Sequence, residues 1–320
     1  MDLMNYKAEK PFAQKHLLTL IDWTPDEILQ TLSLALRLKR DLKAGKPARL
    51  CDGKVLGMIF TKSSTRTRVS FETGIYQLGG SGMFLSGNDI QLGRGEPIED
   101  TAKVLSRMID GIMIRTFKQS DVEGLAKYGS IPVINGLTDD CHPCQVLADL
   151  LTYYEHKGTF KGKLAFIGDG NNMANSLMVG CAKLGMDVAI GCPPDYMPIQ
   201  KFVDAAREAA AISGSTVTVT NDYAEAARGA DCIYTDVWAS MGQEGEFEKR
   251  KVAFANCQVN DSLASFAKPD YIFLHCLPAH RGEEVTSSII DGEHSVVFDE
   301  AENRLHAQKA VMALLMGKAY

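Results

Sequence analysis

Short apolar runs alternate with stretches of helical spacing along nearly the whole chain. Residues 1–21 read as an arm. Thr24 is then placed to cap a helix, Pro25 suits its first position, and Asp26 and Glu27 suit its first turn. Leu29, Leu32, Leu36 and Leu38 carry that helix to a basic end near Lys43, where Gly45-Lys46-Pro47 stops it. The apolar run 55–60 predicts a buried strand, and Val69, Phe71, Ile75 and Leu78 predict a helix that ends at Gly79-Gly80. Further strands are expected at 80–85, 111–116 and 131–136, with a helix over 99–108 and another beginning at Val146. After a polar connection at 158–163, a strand from Leu164, a helix through Met173, Leu177, Val179 and Leu184, and a strand at 187–192 make a βαβ unit. The rest reads as a helix over 201–212, a strand at 216–219, a short helix at 224–230, strands at 232–238 and 271–278, and a final helix from Glu300 through Val311, Leu314 and Leu315.

The most polar junction between two of these elements is Thr61-Lys62-Ser63-Ser64-Thr65-Arg66-Thr67-Arg68. Ser and Thr before a helix cap it and leave backbone N–H groups at its positive end, where anions and above all phosphate bind. Arg66 and Arg68 add the guanidinium fork that suits phosphate oxygens. The turn reads either as a phosphate site or as a capped helix with two solvated arginines. Arg115 ends a strand, and in an open α/β sheet ligands bind beyond the carboxyl ends of strands.

Other stretches carry chemistry less sharply. The loop 88–97, with Gln91, is polar and glycine-containing, which suits either a plain surface loop or a functional one. Cys141-His142-Pro143-Cys144 offers a zinc half-site, but no second ligand pair follows at the usual spacing. A redox pair would need a thioredoxin-like setting. Gly168-Asp169-Gly170 resembles the start of a dinucleotide fingerprint, yet Met173 stands where the third glycine would allow close helix–strand packing. Two asparagines, Asn171 and Asn172, suit a small polar ligand better. Asp236 lies near the end of a strand, where it reads as a turn residue or a ligand contact.

Composition narrows the classes. A chain of 320 residues suggests two domains, and 45% hydrophobic with 23% charged residues is ordinary for a soluble globular protein. The net charge of −6, without a long basic run, argues against nucleic acid or an acidic membrane as main partner. Residues 1–11 lack the apolar core of a signal peptide, and no apolar stretch approaches the roughly 20 residues of a membrane span. Eight scattered cysteines fit reduced thiols in a cytoplasm.

Taken together and in order, Ser64-Thr65-Arg66-Thr67-Arg68, His142-Pro143-Cys144-Gln145, Asp236 with Ser240-Met241-Gly242, His275-Cys276-Leu277-Pro278 and the helix start at Arg304 resemble the aspartate/ornithine carbamoyltransferase superfamily, and within it the ornithine branch. An acid, Asp236, in the second half suits a substrate that carries an ammonium. The lysine of the aspartate branch has no clear counterpart in Gln91-Leu92-Gly93-Arg94.

The resemblance implies an α/β fold of two doubly wound parallel-sheet domains with the active site in the cleft between them, joined by the helix after His142 and the C-terminal helix. It assigns carbamoyl phosphate to 1–150 plus about 303–320, and ornithine to 151–302. It implies carbamoyl transfer to the δ-amine of ornithine, a step of arginine metabolism, with no metal or organic cofactor. Ser64, Thr65, Arg66 and Thr67 would hold the phosphate. Arg115, His142 and Thr67 would lie near the carbonyl oxygen and Gln145 near the carbamoyl nitrogen, with Pro143, Cys144 and Arg304 also on carbamoyl phosphate. Asn172, Asp236, Ser240 and Met241 would hold ornithine, while Cys276 and Leu277 approach the reacting amine. Arg115, His142 and Cys276 would be the catalytic residues. The partner implied is a second copy of the chain, in a trimer or a multiple of trimers whose sites borrow Gln91 from a neighbour.

Overall fold

The computed structural model describes residues 2–239 and 244–317, which form two compact units. Unit 1 is Met1–Leu151 with Glu302–Tyr320, and unit 2 is Thr152–Ala301. The chain passes from one to the other inside two continuous helices.

Unit 1 contains α1 (Pro25–Lys43), β1 (Val55–Phe60), α2 (Thr65–Gln77), β2 (Ser81–Ser86), a 3-10 turn at Gln91–Arg94, α3 (Ile98–Leu105), β3 (Gly111–Arg115), α4 (Gln119–Tyr128), β4 (Val133–Leu137) and the start of α5 (Pro143–Lys157). Thr24 and Glu27 close a capping box on α1, each side chain accepting the other's backbone N–H, so two polar residues suffice to set where the helix begins. The four strands are parallel in the order β2-β1-β3-β4. Ile59, Ile112, Ile114 and Val133 from this sheet pack with Ala102, Val122 and Leu125 from α3 and α4. The pattern of 117–130 predicted no element, yet α4 forms there. Val122 and Leu125 are its buried apolar residues, too few for a visible stripe.

Unit 2 contains β5 (Lys163–Ile167), α6 (Asn172–Lys183), β6 (Asp187–Gly191), α7 (Gln200–Ser213), β7 (Val217–Thr220), α8 (Tyr223–Ala227), β8 (Cys232–Thr235), α9 (Phe247–Ala253), α10 (Asp261–Ala264), β9 (Ile272–Leu274), α11 (Ser287–Ile290) and the first residues of α12 (Val297–Met316). Its five parallel strands run β7-β6-β5-β8-β9 over a core that includes Ile167, Ile233, Trp238, Phe254, Phe273 and Val285. β8 and β9 are shorter than their apolar runs, so Asp236 and the segment from His275 to Pro278 lie beyond strand ends, in irregular backbone.

Both sheets are doubly wound, and each has one place where consecutive connections depart in opposite directions: between β1 and β3 in unit 1, and between β5 and β8 in unit 2. Crevices open at the carboxyl ends of strands at such points. Gly170 follows β5 for a packing reason. A Cβ there would press on the backbone of Tyr196, Met197 and Pro198, 2.5 Å from the Tyr196 carbonyl oxygen. The glycine serves close approach of two backbones. No helix of the described residues is long and apolar enough to cross a membrane.

Candidate active site

In unit 1 the carboxyl end of β1 runs into α2 through Ser64, whose extended backbone and side chain cap the helix: Ser64 Oγ accepts the Thr67 N–H at 3.2 Å. The N–H groups of Thr65 and Arg66 precede the first intrahelical bond, which gives the turn its positive end. Thr67, itself buried, is where the other elements meet. From β3, Arg115 points Nη1 at Thr67 Oγ1 at 3.5 Å, and from α12, Arg304 Nη2 donates to the same oxygen at 3.1 Å. Arg304 is 3% exposed. Its Nη1 donates to Gln145 Oε1 at 2.6 Å, and Gln145 Nε2 donates to Asp149 Oδ1 at 2.8 Å along α5. With the Gln308 amide turned so that its oxygen faces Arg304, that oxygen accepts Nη2 and Nε at 2.9 and 3.0 Å. Two guanidiniums are thereby aimed at Thr67 in the first turn of α2 by elements from distant parts of the sequence, with the Gln145 and Gln308 amides holding Arg304.

His142 sits just before α5, buried near these arginines. Burial, then the charges of Arg304 and Arg115, hold its pKa well below the usual histidine value, so the ring is neutral at physiological pH. Burial penalises either charge, but the two guanidiniums that oppose a proton on His142 favour an anion beside it. The flanking cysteines are structural. Cys141 Sγ receives Asn135 Nδ2 at 3.3 Å, and Cys144 Sγ donates to the Asn135 carbonyl at 3.3 Å. Burial pushes the Cys144 thiol up to about 12, which leaves no thiolate for redox or metal chemistry near neutrality. All eight cysteines are free thiols.

In unit 2 the ends of β5, β8 and β9 converge on Asp236. Asn171 Nδ2 donates to Asp236 Oδ2 at 3.0 Å, and Cys276 Sγ donates to Oδ1 at 3.1 Å. Asn171 also caps α6, its Oδ1 accepting the N–H of Met173 and Ala174. One ion pair braces the surrounding turns. Arg250 Nη1 on α9 donates to Asp169 Oδ2 at 2.6 Å and to the Trp238 carbonyl at 2.9 Å, and its guanidinium lies over the Tyr196 ring. Burial raises the Asp169 carboxyl despite the partner.

Of the residues singled out from sequence, the structure gathers Ser64, Thr67, Arg115, His142, Gln145 and Arg304 in unit 1, and Asp236 and Cys276 in unit 2. Arg66 is half-buried in the first turn of α2, Thr65 is exposed, and Gln91 is exposed in the 3-10 turn. Asn172 is buried as the first residue of α6, but its neighbour Asn171 makes the bond to Asp236. Ser240 and Met241 lie outside the described residues. The sequence marks Asn171 only beside Asn172 as suited to a small polar ligand, and gives no sign of Asp169 and Arg250 as supports. The Asn-Asn pair pointed at the place, but nothing in the sequence pairs residue 169 with residue 250.

Residues 15–155 match the family described as aspartate/ornithine carbamoyltransferase, carbamoyl-P binding domain, and residues 161–315 match its Asp/Orn binding domain. The chain belongs to the aspartate/ornithine carbamoyltransferase family. Within that family it is 58% identical over 304 residues to the ornithine carbamoyltransferase of Carboxydothermus hydrogenoformans, covering 95% of this chain and 98% of that one. It is 61% identical to that of Oceanobacillus iheyensis, with 94% of both covered. Among solved structures, ornithine carbamoyltransferase from Pyrococcus furiosus superposes with a TM-score of 0.93 at 54% identity, over 97% of this chain and 100% of that one. The two doubly wound sheets are therefore the family's fold, and the chain is a carbamoyltransferase of this kind.

Proposed function

We propose that the protein transfers the carbamoyl group of carbamoyl phosphate to the δ-amine of L-ornithine, giving L-citrulline and phosphate, as a cytoplasmic step of arginine metabolism. The observation that carries the reading is the convergence of Arg115 and Arg304 on Thr67 at the amino end of α2. Together with Arg66 and the helix N–H groups, it makes a site for a phosphorylated substrate. Unit 1 with the helix from Glu302 takes carbamoyl phosphate, and unit 2 takes ornithine.

The phosphate rests on Ser64, Thr65, Arg66 and Thr67. Arg115, His142 and Thr67 face the carbonyl oxygen. Gln145, Cys144 and Pro143 line the carbamoyl end, with Arg304 bridging toward Thr67. The attacking amine forms the new C–N bond while the C–O bond to phosphate breaks. Negative charge grows on the carbonyl oxygen and on the departing phosphate, where fixed donors lower the barrier without reorganising. A neutral His142 can give a hydrogen bond to that oxygen without giving up a full proton, while the arginines supply charge. Asp236 holds the ammonium of the amino acid, with Asn172, Ser240 and Met241 beside it, and Cys276 and Leu277 approach the reacting amine. An alkyl amine with a pKa of roughly 10.4 is mostly protonated at neutral pH, so turnover rises with pH as the neutral form becomes available. Neither a metal nor an organic cofactor enters the scheme.

The active assembly is a trimer, or a multiple of trimers, in which Gln91 completes a neighbour's site. The exposed side chains of Gln91 and Arg94 in the 3-10 turn support that reading. The deciding experiment is citrulline formation from carbamoyl phosphate with ornithine, aspartate, putrescine and acetylated ornithine compared. Turnover with ornithine far above the others is expected, and preference for any other acceptor would overturn the assignment.

A further inference from the structure

His275 is fully buried directly after β9, and three hydrogen bonds fix it. Its backbone N–H donates to Glu300 Oε2 at 2.8 Å, while Glu300 Oε1 receives the Tyr234 hydroxyl at 3.1 Å. Its ring Nδ1 accepts the Leu277 N–H at 2.9 Å. Its Nε2 lies 3.2 Å from Oε1 of Glu284, a second fully buried carboxylate, whose Oε1 also accepts the His280 N–H at 2.6 Å.

These contacts assign the ring's proton. A nitrogen that accepts from a backbone N–H carries no hydrogen, so the ring is neutral and its proton is on Nε2, donated to Glu284. The loop closed from the side chain of residue 275 to the N–H of residue 277 is the one that Asn and Asp make in an Asx turn, with imidazole in place of the carboxamide oxygen. The held residue, Leu277, has φ +56°, a left-handed conformation that a branched side chain resists. Between the two ends of the loop is Cys276, with its thiol 3.1 Å from Asp236.

We infer that His275 is a positioning residue. Locked by Glu284 in its Nε2–H tautomer, it holds Leu277 in the left-handed turn and so sets the Cys276 thiol and the Leu277 backbone for carbamoyl transfer. The inference deepens the carbamoyltransferase reading and rests on it.

The test compares His275→Asn with His275→Gln in the full-length enzyme. Asparagine restores an oxygen acceptor for the Leu277 N–H, whereas glutamine reaches toward Glu284 and abandons Leu277. The Asn variant should keep kcat within about threefold. The Gln variant should lose roughly 10- to 100-fold, the scale set by small misplacements of reacting groups. In both, KM for carbamoyl phosphate should stay within about twofold, because the phosphate ligands are in unit 1. A second arm uses Glu284. Its Gln variant keeps an oxygen acceptor for the ring and should be active, whereas Glu284→Leu should match His275→Gln. A residue that merely fills space would rank by volume, with Gln at least as active as Asn and activity following melting temperature. That order, or full turnover in Glu284→Leu, overturns the inference. Citrulline formation by the unmodified enzyme separates this result from failure of the functional reading itself.

Discussion

At the scale of single residues, charge placement decides what each half can bind. Arg66 is half-buried in the first turn of α2, and its backbone carbonyl accepts the Ser70 hydroxyl at 2.6 Å, so its guanidinium is not what holds that turn together. Arg66→Ala should leave the melting temperature nearly unchanged. It should nearly abolish turnover at low carbamoyl phosphate, since a hydrogen bond to a charged group is worth about 1.5–3 kcal/mol, a factor of roughly 10 to 150. Steady-state kinetics against carbamoyl phosphate reads this, and near-normal turnover would remove Arg66 from the phosphate site. Asp236→Asn tests the other half. Ornithine affinity should fall far more than carbamoyl phosphate affinity. If Asp236 holds the α-ammonium, norvaline, which lacks the δ-amine, should weaken as well. Calorimetry with norvaline checks the contact, and unaltered norvaline binding would move Asp236 to the δ-end or out of the site.

Helices and strands aim these residues, and α12 shows how much one element carries. Besides Arg304, it presents Asn303, which accepts the Lys39 ammonium at 2.8 Å, and His306, which is almost fully buried 3.5 Å from Glu302. Burial, reinforced by Lys309 and Lys39, lowers His306 to about 3. An unfolded chain takes up that proton near pH 6.5, whereas the folded chain refuses it until about 3. The stabilising contribution is therefore complete above pH 6.5 and shrinks as pH falls through the window below it, by up to about 1.4 kcal/mol per pH unit for one proton. His142 acts with the same sign. Urea unfolding from pH 7.5 to 5 should lose stability more steeply in the unmodified protein than in His306→Gln. Parallel curves would show that His306 is not the group responsible.

For the molecule as a whole, the expected consequence of a trimer is complementation. In the proposed assembly, Gln91→Ala combined with Arg94→Ala would damage what one subunit lends, and Arg66→Ala what it keeps. Each variant alone should assemble with little activity. Dissociated, mixed and reassembled, the two should recover part of it, because some sites then receive both intact parts; head-to-tail contacts of a closed ring allow such lending. A mixture that reassembles by mass yet stays as inactive as its parents would mean that the loop serves its own subunit.

Much of this was legible in the chain itself. Short apolar runs located the strands of both sheets; for all but β2 and β7, which hold no buried residue, the reason is that a parallel strand covered on both faces reads as a continuous apolar run. Thr24 and Ser64 announced helix starts, because capping is local chemistry that needs only neighbouring residues. The Ser/Thr/Arg turn read as a candidate anion site for the same reason. Elements with little apolar contrast stayed hidden: α4 buries too few residues, and α9, α10 and α11 are four to seven residues long, too short to repeat a pattern. Nothing local brings Arg304 to Thr67 across more than two hundred residues, or pairs Asp169 with Arg250, or places Glu284 on the ring of His275. Met173 already argued in the sequence against a nucleotide fingerprint at Gly168-Asp169-Gly170, but only the backbone of Tyr196 to Pro198 against Gly170 gives the reason for that glycine. Local propensity and capping follow from a few adjacent side chains. Long-range pairings, the neutral state of His142 and the tautomer of His275 follow from which groups share a buried space, and that depends on how the strands are ordered in three dimensions.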